Sequence, residues 1–225
     1  MVATTIHLMR HGEVHNPAGV LYGRLAGYHL SERGVKMAER VAEHLAGDHT
    51  ADPGGEHPGR ADVVAVYASP MERAQETAAP IAAAFDLDIR TDERLLEAEN
   101  KFQGLTVGVG DGALRHPKHW PLLVNPFRPS WGEPYRAQVE RMLAVVAEAR
   151  DVARGHEAVL VSHQLPVWVT RRALQGQRLW HDPRRRQCSL ASLTSLRYED
   201  DRLVGIHYTE PAAELLPGAN AVPGA

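Results

Sequence analysis

Two histidines and two arginines in this sequence have the chemistry needed to hold and attack a phosphate group. Arg10 and His11 are adjacent, Arg73 and His163 come later, and each closely follows a short apolar stretch. Guanidinium groups match phosphate oxygens in geometry and charge, and a neutral imidazole nitrogen is a nucleophile toward phosphorus. Brought together by the fold, the four side chains would form a basic site for phosphoryl transfer.

The apolar stretches before these residues have the composition of β-strands. They cover residues 5–9, 63–67 and 158–161 and end at Arg or Ser residues that favour turns or helix starts. Residues 190–198 and 202–208 flank a short acidic turn and predict a β-hairpin. The carboxyl ends of parallel strands share one edge of a sheet, which is where ligands bind in α/β folds.

Helical periodicity fills the segments between the strands. The first predicted helix has Ser31 as its N-cap and an apolar stripe from Val35 to Leu45. The second is predicted to start at Ser69-Pro70, with the serine as its cap, and to run to about residue 85. Two more are predicted, around residues 139–146 and from Pro166 to about residue 175.

This alternation predicts an α/β fold: a three-layer sandwich with helices on both faces of a largely parallel, mixed sheet. Residues 1–210 are expected to form one domain, and the Pro/Gly/Ala-rich residues 211–225 a flexible tail. Residues 98–134 have no clear period and predict a lid-like insertion over the substrate. Side chains expected to contact substrate from this region are Trp120, Phe127, Arg128, Trp131 and Tyr135.

Three motifs occur in order along the chain, each at the end of a predicted strand. They are Leu8-Met-Arg-His-Gly-Glu13, Ser69-Pro-Met-Glu-Arg-Ala74 and Val161-Ser-His163. Together they resemble the histidine phosphatase superfamily, in its phosphoglycerate mutase-like branch, from about residue 4 to residue 208. The resemblance implies a mixed sheet flanked by helices and a phosphohistidine intermediate, with no metal and no other cofactor.

The resemblance also implies roles for individual residues. His11 corresponds to the nucleophile, Arg10 and Arg73 to phosphate-binding arginines, and His163 to the second histidine of the phosphate pocket. All four are therefore predicted to be catalytic or substrate-binding residues.

A proton donor for the leaving group completes such a site. Members of the family have a glutamate in a Leu-x-Glu context shortly after the third strand of their own sheet. Arg94-Leu-Leu-Glu97 fits that pattern. Glu97 is the predicted acid. Glu99 lies two residues further on and is the competing choice, because an extended segment would direct both side chains to the same side.

The sequence departs from the family pattern at two substrate-binding positions. The asparagine that usually helps bind phosphate lies one residue closer to the nucleophile, as Asn16. The usual Gly-Gly after the second histidine is replaced by Gln164-Leu165-Pro166. The backbone N–H of Gln164 can still contact phosphate, whereas Pro166 has no N–H to donate.

Within the family, hydrolysis of phosphomonoesters is favoured over a mutase reaction. Mutases carry a characteristic Asn-Glu-Arg-His-Tyr-Gly stretch at the acid, and this chain has Leu96-Glu-Ala-Glu-Asn-Lys101. A mutase-type phosphoryl transfer and a non-catalytic module that binds phosphorylated ligands are the alternative functions. An aryl-phosphate assay separates an enzyme from the binding module.

Other chemistries have weaker support in the sequence. Cys188 lacks the following arginine that a cysteine phosphatase needs, and Gly108–Ala113 is not preceded by a strand, as a dinucleotide-binding turn would be. His116 and His119 lack the carboxylate context of a metal site. The basic run Arg184-Arg-Arg186 is interpreted as a solvated loop, with contact to a phosphorylated ligand as the alternative.

Composition narrows the class of partner. The formal net charge of −3 gives no support for binding nucleic acid or an anionic membrane. One cysteine cannot form an intramolecular disulfide, and no apolar run approaches the ~20 residues of a membrane span. We expect a cytoplasmic protein, as a monomer or a homodimer, that acts on a phosphorylated small molecule which the sequence does not identify.

Overall fold

The structure, a computed structural model, describes residues 1–47, 60–106 and 132–220. The strands are β1 (Ala3–Arg10), β2 (Val63–Ala68), β3 (Ile89–Thr91), β4 (Glu157–Ser162), β5 (Leu193–Glu199) and β6 (Arg202–Thr209). The helices are α1 (Glu32–Ala46), α2 (Glu72–Ala84), α3 (Tyr135–Val152) and α4 (Gln164–Leu174). The predicted lid residues 107–131, with Trp120, Phe127, Arg128 and Trp131, lie outside the described residues.

The six strands form one mixed sheet in the order β3-β2-β4-β1-β5-β6. The neighbours β1–β4, β2–β4 and β2–β3 are parallel, whereas β5 is antiparallel to both β1 and β6. The carboxyl ends of β1, β2, β3 and β4 therefore lie at one edge. The predicted α/β class with a largely parallel mixed sheet is confirmed.

Each face of the sheet is covered by a pair of helices. On one face, Met37 and Val41 of α1 and Ile81 of α2 pack with sheet residues such as Met9 and Val159. On the other face, α3 and α4 contribute Met142, Val146 and Val167, which pack with Ile6, Leu8 and Leu160. Because alternate residues of a strand point to opposite faces, the continuous apolar stretch of β1 supplies both cores.

The predicted helix starts need two corrections. Ser69 is not the N-cap of α2; that position is Met71, which makes no side-chain cap bond. The Ser69 hydroxyl instead contacts the Nε2 atom of His163 at 2.9 Å. Helix α4 begins at Gln164, two residues before the predicted start. Proline is tolerated in the first turn, because the N–H groups of that turn have no hydrogen-bond partner within the helix.

Two further local predictions were incomplete. Strand β3 was not predicted, because its three residues are at most half-buried and show no apolar alternation. Val35 belongs to the predicted apolar stripe of α1 but is 44% exposed, and the buried face of that helix includes Gly34 instead. Ser31 is the N-cap of α1 as predicted, and its hydroxyl accepts a hydrogen bond from the Gly34 N–H at 3.0 Å.

Residues 211–220 pack against the domain, although the sequence predicts a flexible tail from residue 211. Ala212 is buried, and Glu214 in a short 3-10 helix pairs with Arg40 at 2.8 Å. The backbone N–H of Asn220 donates to the Glu13 carboxylate at 2.6 Å. These contacts compensate for the weak helix and strand propensity of the segment, a tertiary effect that composition does not reveal.

Candidate active site

The ends of three parallel strands bring the two predicted catalytic histidines together. Arg10 ends β1 opposite Ser162 of β4, and the His11 N–H donates to the Ser162 carbonyl at 3.1 Å. The Ser69 N–H, just after β2, donates to the Val161 carbonyl at 3.0 Å. The imidazole rings of His11 and His163 are consequently 5.2 Å apart, centroid to centroid, in an edge-to-face arrangement.

Two glycines allow the segment after β1 to lie directly against helix α1. A Cβ atom on Gly12 would be 2.6 Å from the Gly34 carbonyl oxygen, and one on Gly34 would be 2.0 Å from the Glu13 carbonyl oxygen. The Gly12 N–H also donates to the Thr77 hydroxyl of α2 at 3.1 Å. The backbone that carries His11 is thus fixed by both helices on that face.

The two ring nitrogens of His11 differ in their hydrogen bonding. Its Nδ1 atom lies 2.8 Å from the Gly12 carbonyl oxygen, which can only accept, so Nδ1 carries the proton. Nε2 then holds a lone pair, and this buried atom has no hydrogen-bond partner among residues 1–47, 60–106 and 132–220. Burial, followed by the charges of Arg73 and Arg10, holds the pKa of His11 well below its usual value, which keeps the ring neutral.

The two predicted phosphate-binding arginines are almost completely buried. Arg10 is 2% exposed and donates through Nη1 to the Cys188 carbonyl at 2.9 Å. Arg73 is fully buried, donates through Nη2 to the Gly23 carbonyl at 2.6 Å, and lies over the Tyr22 ring at 4.7 Å. Its Nε and Nη1 atoms have no partner within the described part of the chain. A buried guanidinium group with unused donors, such as that of Arg73, is well suited to bind an anion.

His163 stands at the N-cap of α4 with defined hydrogen bonds at both ring nitrogens. Arg73 Nη2 lies 3.4 Å from Nδ1 and can only donate, so Nδ1 accepts and the Nε2 hydrogen is directed to the Ser69 hydroxyl. Burial, followed by the charge of Arg73, lowers the pKa of His163 well below its usual value. The start of α4 adds backbone N–H groups to this side of the site.

The structure separates the two candidate proton donors. Glu97 is 2% exposed, and its Oε1 accepts the Ala98 N–H at 2.7 Å while Oε2 has no partner in the described ranges. Burial raises the pKa of Glu97 despite the opposing effects of the Ala98 N–H, Arg73 and Arg186. Glu99 has a 70% exposed side chain that pairs with Arg24 at 3.3 Å. Of the two carboxyl groups, Glu97 is the one that is buried and subject to the charges of Arg73, Arg186 and Arg10.

The other two predicted substrate-binding residues have mainly structural contacts. The Asn16 side chain donates to the Val20 carbonyl at 2.8 Å and accepts from the Val20 N–H at 3.0 Å, which closes a local turn. The Gln164 side chain accepts from Arg186 at 3.1 Å and lies 3.5 Å from the Cys188 carbonyl. Direct phosphate contact by Asn16 and Gln164 stays a prediction.

The sequence did not single out Arg186 as a residue of the site, because it is one member of the basic run Arg184-Arg-Arg186. Its neighbour Arg184 is 86% exposed and paired with Asp182, as expected of a solvated basic run, but Arg186 is partly buried and donates to His181 and Gln164. It lines a cavity of about 80 Å³ together with Glu97, Gln138 and Tyr135. A run of three arginines does not indicate which member points inward. Tyr135, predicted to contact substrate, does lie at this cavity.

Two general features concern metals and membranes. In the three described ranges, no three His, Cys, Asp or Glu side chains are grouped in a way that could hold a metal ion. The same ranges contain no helix that is long and apolar enough to cross a membrane.

Comparison with known proteins places this geometry in a family. The sequence profile of the histidine phosphatase superfamily (branch 1) matches residues 6–210. Uncharacterized protein Rv0525 of Mycobacterium tuberculosis is 56% identical over 210 residues, which cover 93% of this chain and 98% of the relative. Phosphoserine phosphatase 1 of Hydrogenobacter thermophilus is 28% identical over 206 residues, which cover 88% of each chain.

Solved structures agree at the level of the fold. The mycobacterial glucosyl-3-phosphoglycerate phosphatase Rv2419c superposes with a TM-score of 0.67 at 24% identity, covering 92% of this chain and 96% of that one. Phosphoserine phosphatase of Entamoeba histolytica gives a TM-score of 0.69 at 18% identity, with 93% and 99% covered. From the profile match over nearly its whole length, the chain belongs to branch 1 of the histidine phosphatase superfamily.

Proposed function

We propose that the protein hydrolyses phosphomonoesters of small molecules in the cytoplasm through a phosphohistidine formed on His11. One observation carries this proposal: the Nε2 atom of neutral His11, which has no hydrogen-bond partner among the described residues, lies close to the buried guanidinium groups of Arg10 and Arg73. A nucleophile that is free of both a proton and a hydrogen bond can attack without losing an existing contact.

In the first step, the lone pair of His11 Nε2 attacks phosphorus, and the bond from phosphorus to the ester oxygen breaks. Arg10 and Arg73 bind the equatorial phosphoryl oxygens and stabilise the charge that spreads over them in the transition state, and His163 joins them by turning its Nε2–H from the Ser69 hydroxyl to a phosphoryl oxygen. The Nδ1 hydrogen bond to Gly12 remains in place and stabilises the positive charge that the ring acquires. Glu97 donates its proton to the departing alkoxide.

In the second step, the Glu97 carboxylate takes a proton from water, whose oxygen attacks phosphorus and releases inorganic phosphate. The P–N bond breaks, and its electron pair returns to His11 Nε2. Glu97 ends protonated and His11 neutral, so both residues regain their starting state. The raised pKa of Glu97 suits this double role, because the group must exchange its proton near neutral pH.

Hydrolysis is better supported than mutase transfer. A phosphoserine phosphatase is related over 88% of both chains, whereas a phosphoglycerate mutase of Thermoplasma acidophilum is 36% identical over 91 residues, 40% of this chain. The stretch after Leu96 also lacks the sequence that is typical of mutases at the acid.

The direct test is hydrolysis of p-nitrophenyl phosphate by the purified protein and two histidine variants. We expect His11→Ala to lose more than about 10⁴-fold in kcat/KM, as when other enzymes lose a nucleophile. His29→Ala is the matched control, because that side chain is 59% exposed and pairs with Glu76 at the surface. Hydrolysis that survives His11→Ala would overturn the proposed mechanism, and an inactive wild type would favour the binding module.

A further inference from the structure

The segment that carries Glu97 has no helix or strand of its own to fix it. Residues 96–99 lie between a short 3-10 helix (Glu93–Leu95) and an isolated β-bridge at Asn100. Backbone groups outside regular elements need hydrogen-bond partners from elsewhere in the fold. A catalytic group must be held to within about 0.5 Å of its productive position, so the partners of this segment affect the chemistry of Glu97.

Two side chains from other elements donate to backbone carbonyls of this segment. The hydroxyl of Ser162, the last residue of β4, donates to the Leu95 carbonyl at 2.7 Å. Arg24 Nε donates to the carbonyl of Glu97 itself at 2.6 Å. The first contact fixes the chain two residues before the acid, and the second fixes the peptide group of the acid. Since a charged donor makes the stronger hydrogen bond, Arg24 provides the main local restraint on Glu97.

A carboxylate holds the guanidinium group of Arg24 in this orientation. Arg24 Nη2 donates to Glu133 Oε2 at 3.2 Å, and the same carboxylate accepts from Arg141 Nε at 2.8 Å. The Glu133 side chain is only 15% exposed, so this ion pair is less screened by solvent than a surface pair. The other ion pair of Arg24 is with Glu99, whose side chain is largely exposed. Glu133 is therefore the residue that directs Arg24 toward the Glu97 carbonyl.

Arg24 follows directly after a residue that contacts a phosphate-binding arginine. The Gly23 carbonyl accepts from Arg73 Nη2 at 2.6 Å. Gly23 has a φ of +43°, a conformation that favours glycine, and the next N–H, that of Arg24, donates to Gln103 Oε1 at 2.7 Å. Two consecutive residues thus contact Arg73 on one side and Glu97 on the other. This connection fixes the acid relative to the phosphate-binding group.

The contact of Arg24 is with the backbone of Glu97 and leaves the carboxyl group free. Glu97 Oε1 accepts the Ala98 N–H at 2.7 Å, and Oε2 has no partner in the part of the chain that the structure describes. A salt bridge to the carboxylate would stabilise its charged form and oppose proton donation. A hydrogen bond to the carbonyl restrains the same residue without that effect.

We propose that Arg24 is a positioning residue for proton transfer, which holds the Glu97 carbonyl and so directs the carboxyl group to the ester oxygen of the substrate. Glu133 supports Arg24 in this role. Arg24 itself contacts neither the phosphoryl group nor the leaving group. This inference rests on the proposed function, since it needs Glu97 as the proton donor.

The test compares kcat/KM for benzyl phosphate and p-nitrophenyl phosphate, which each carry one aromatic ring. The benzyl alkoxide needs a proton to depart, whereas p-nitrophenolate does not. We expect Arg24→Met to lower kcat/KM about 10- to 100-fold for benzyl phosphate, as a displacement of about 1 Å does, and no more than about twofold for p-nitrophenyl phosphate. Arg40→Met is the matched control, because Arg40 of α1 also pairs with two glutamates, Glu43 and Glu214, but at an exposed position.

A double-mutant cycle shows whether Arg24 acts through the acid. Once Glu97→Gln has removed the proton donor, adding Arg24→Met should lower kcat/KM for benzyl phosphate by no more than about twofold. A residue that contacts the substrate, or one that only stabilises the fold, would cause the same loss in both backgrounds.

Two more variants separate the donor from its support. Glu133→Gln weakens the ion pair but keeps Arg24 in place, so its loss for benzyl phosphate should be smaller, about 3- to 10-fold. If the melting temperature shows that Arg24→Met does not fold, Arg24→Lys replaces it. Lysine keeps the charge but lacks the planar group that reaches Glu97 and Glu133 together, so the loss for benzyl phosphate should again exceed that for p-nitrophenyl phosphate.

Several outcomes overturn the proposal. They are equal losses for both substrates in Arg24→Met, unchanged activity toward both, a selective loss that also occurs in Arg40→Met, and an undiminished effect of Arg24→Met in the Glu97→Gln background. If p-nitrophenyl phosphate is hydrolysed by the wild type and not by His11→Ala in these cases, only the role of Arg24 is wrong and the proposed function stands.

Discussion

The phosphate end and the leaving-group end of the candidate site are built from different parts of the fold. At the phosphate end, His11 and His163 directly follow β1 and β4, and Arg73 lies in the first turn of α2. At the leaving-group end, Glu97 and Arg186 lie in irregular segments, each just after a short 3-10 helix. The regular strands position the side chains that react with the phosphoryl group. The rest of the substrate would be surrounded by loops, which can vary in length and sequence.

The two ends also differ in the part of the substrate that they would contact. In the proposed mechanism, the phosphate end holds the phosphoryl group that all substrates share, whereas the leaving-group end faces the part that varies. Substitutions at the first end should therefore affect all substrates alike, and those at the second should change the ranking of substrates.

Glu97→Gln should produce the largest loss of activity that depends on the leaving group, because Glu97 is proposed to contact the ester oxygen between the two ends. We expect about 10²- to 10⁴-fold slower hydrolysis of alkyl phosphates, because their leaving groups need protonation, and a much smaller effect on p-nitrophenyl phosphate. Steady-state kinetics on both substrates measure the contrast. Glu99→Gln is the control; a selective loss in that variant, with equal losses in Glu97→Gln, would identify Glu99 as the acid.

The pH profile is expected to reflect one residue from each end. The reaction needs neutral His11, whose pKa is lowered by burial, and protonated Glu97, whose pKa is raised by burial. Activity on alkyl phosphates should thus persist at acidic pH and fall about tenfold per unit above the Glu97 pKa. In Glu97→Gln that fall should disappear. An alkaline optimum in the wild type would contradict these assignments.

Gly34→Ala tests how firmly the phosphate end is held by helix α1. A Cβ atom there would be 2.0 Å from the Glu13 carbonyl oxygen, and backbone cannot move aside as a side chain can. We expect the free energy of unfolding to fall by about 1–3 kcal/mol and the melting temperature by about 2–10 °C. Turnover of every substrate should also be slower. Val35→Ala, at an exposed position, is the control. A changed substrate ranking in Gly34→Ala would break the division between the two ends.

Chelation is expected to have the smallest effect. Arg10 and Arg73 provide the positive charge that a phosphoryl group needs. Activity on p-nitrophenyl phosphate should therefore be unchanged in excess chelator. Loss of activity that a divalent cation restores would contradict a phosphate end made of arginines and histidines.

The division between the ends explains what could be predicted from sequence. Strand β1 and the Arg10-His11-Gly12 turn are local patterns, and strand direction then brings His11 near His163 without knowledge of side-chain contacts. Arg186 and Gln138 could not be identified in this way. One belongs to a basic run that resembles an exposed loop, and the other is a polar residue on an apolar helix face.

Errors in the predicted elements have the same origin. Ser69 before Pro70 is a good local signal for a helix cap, but the hydroxyl contacts His163, a residue 94 positions away. Local propensity does not reveal which long-range partner competes for a polar side chain.

The most direct test of the central claim is to locate the phosphoryl group in enzyme quenched during turnover. We expect brief reaction with a phosphomonoester, followed by an alkaline quench, to give phosphohistidine at His11 with phosphorus on Nε2, because Nδ1 is bound to the Gly12 carbonyl. The label should be acid-labile and absent in His11→Ala. Phosphorus on His163, on Nδ1 of His11, or still present in His11→Ala would contradict the mechanism.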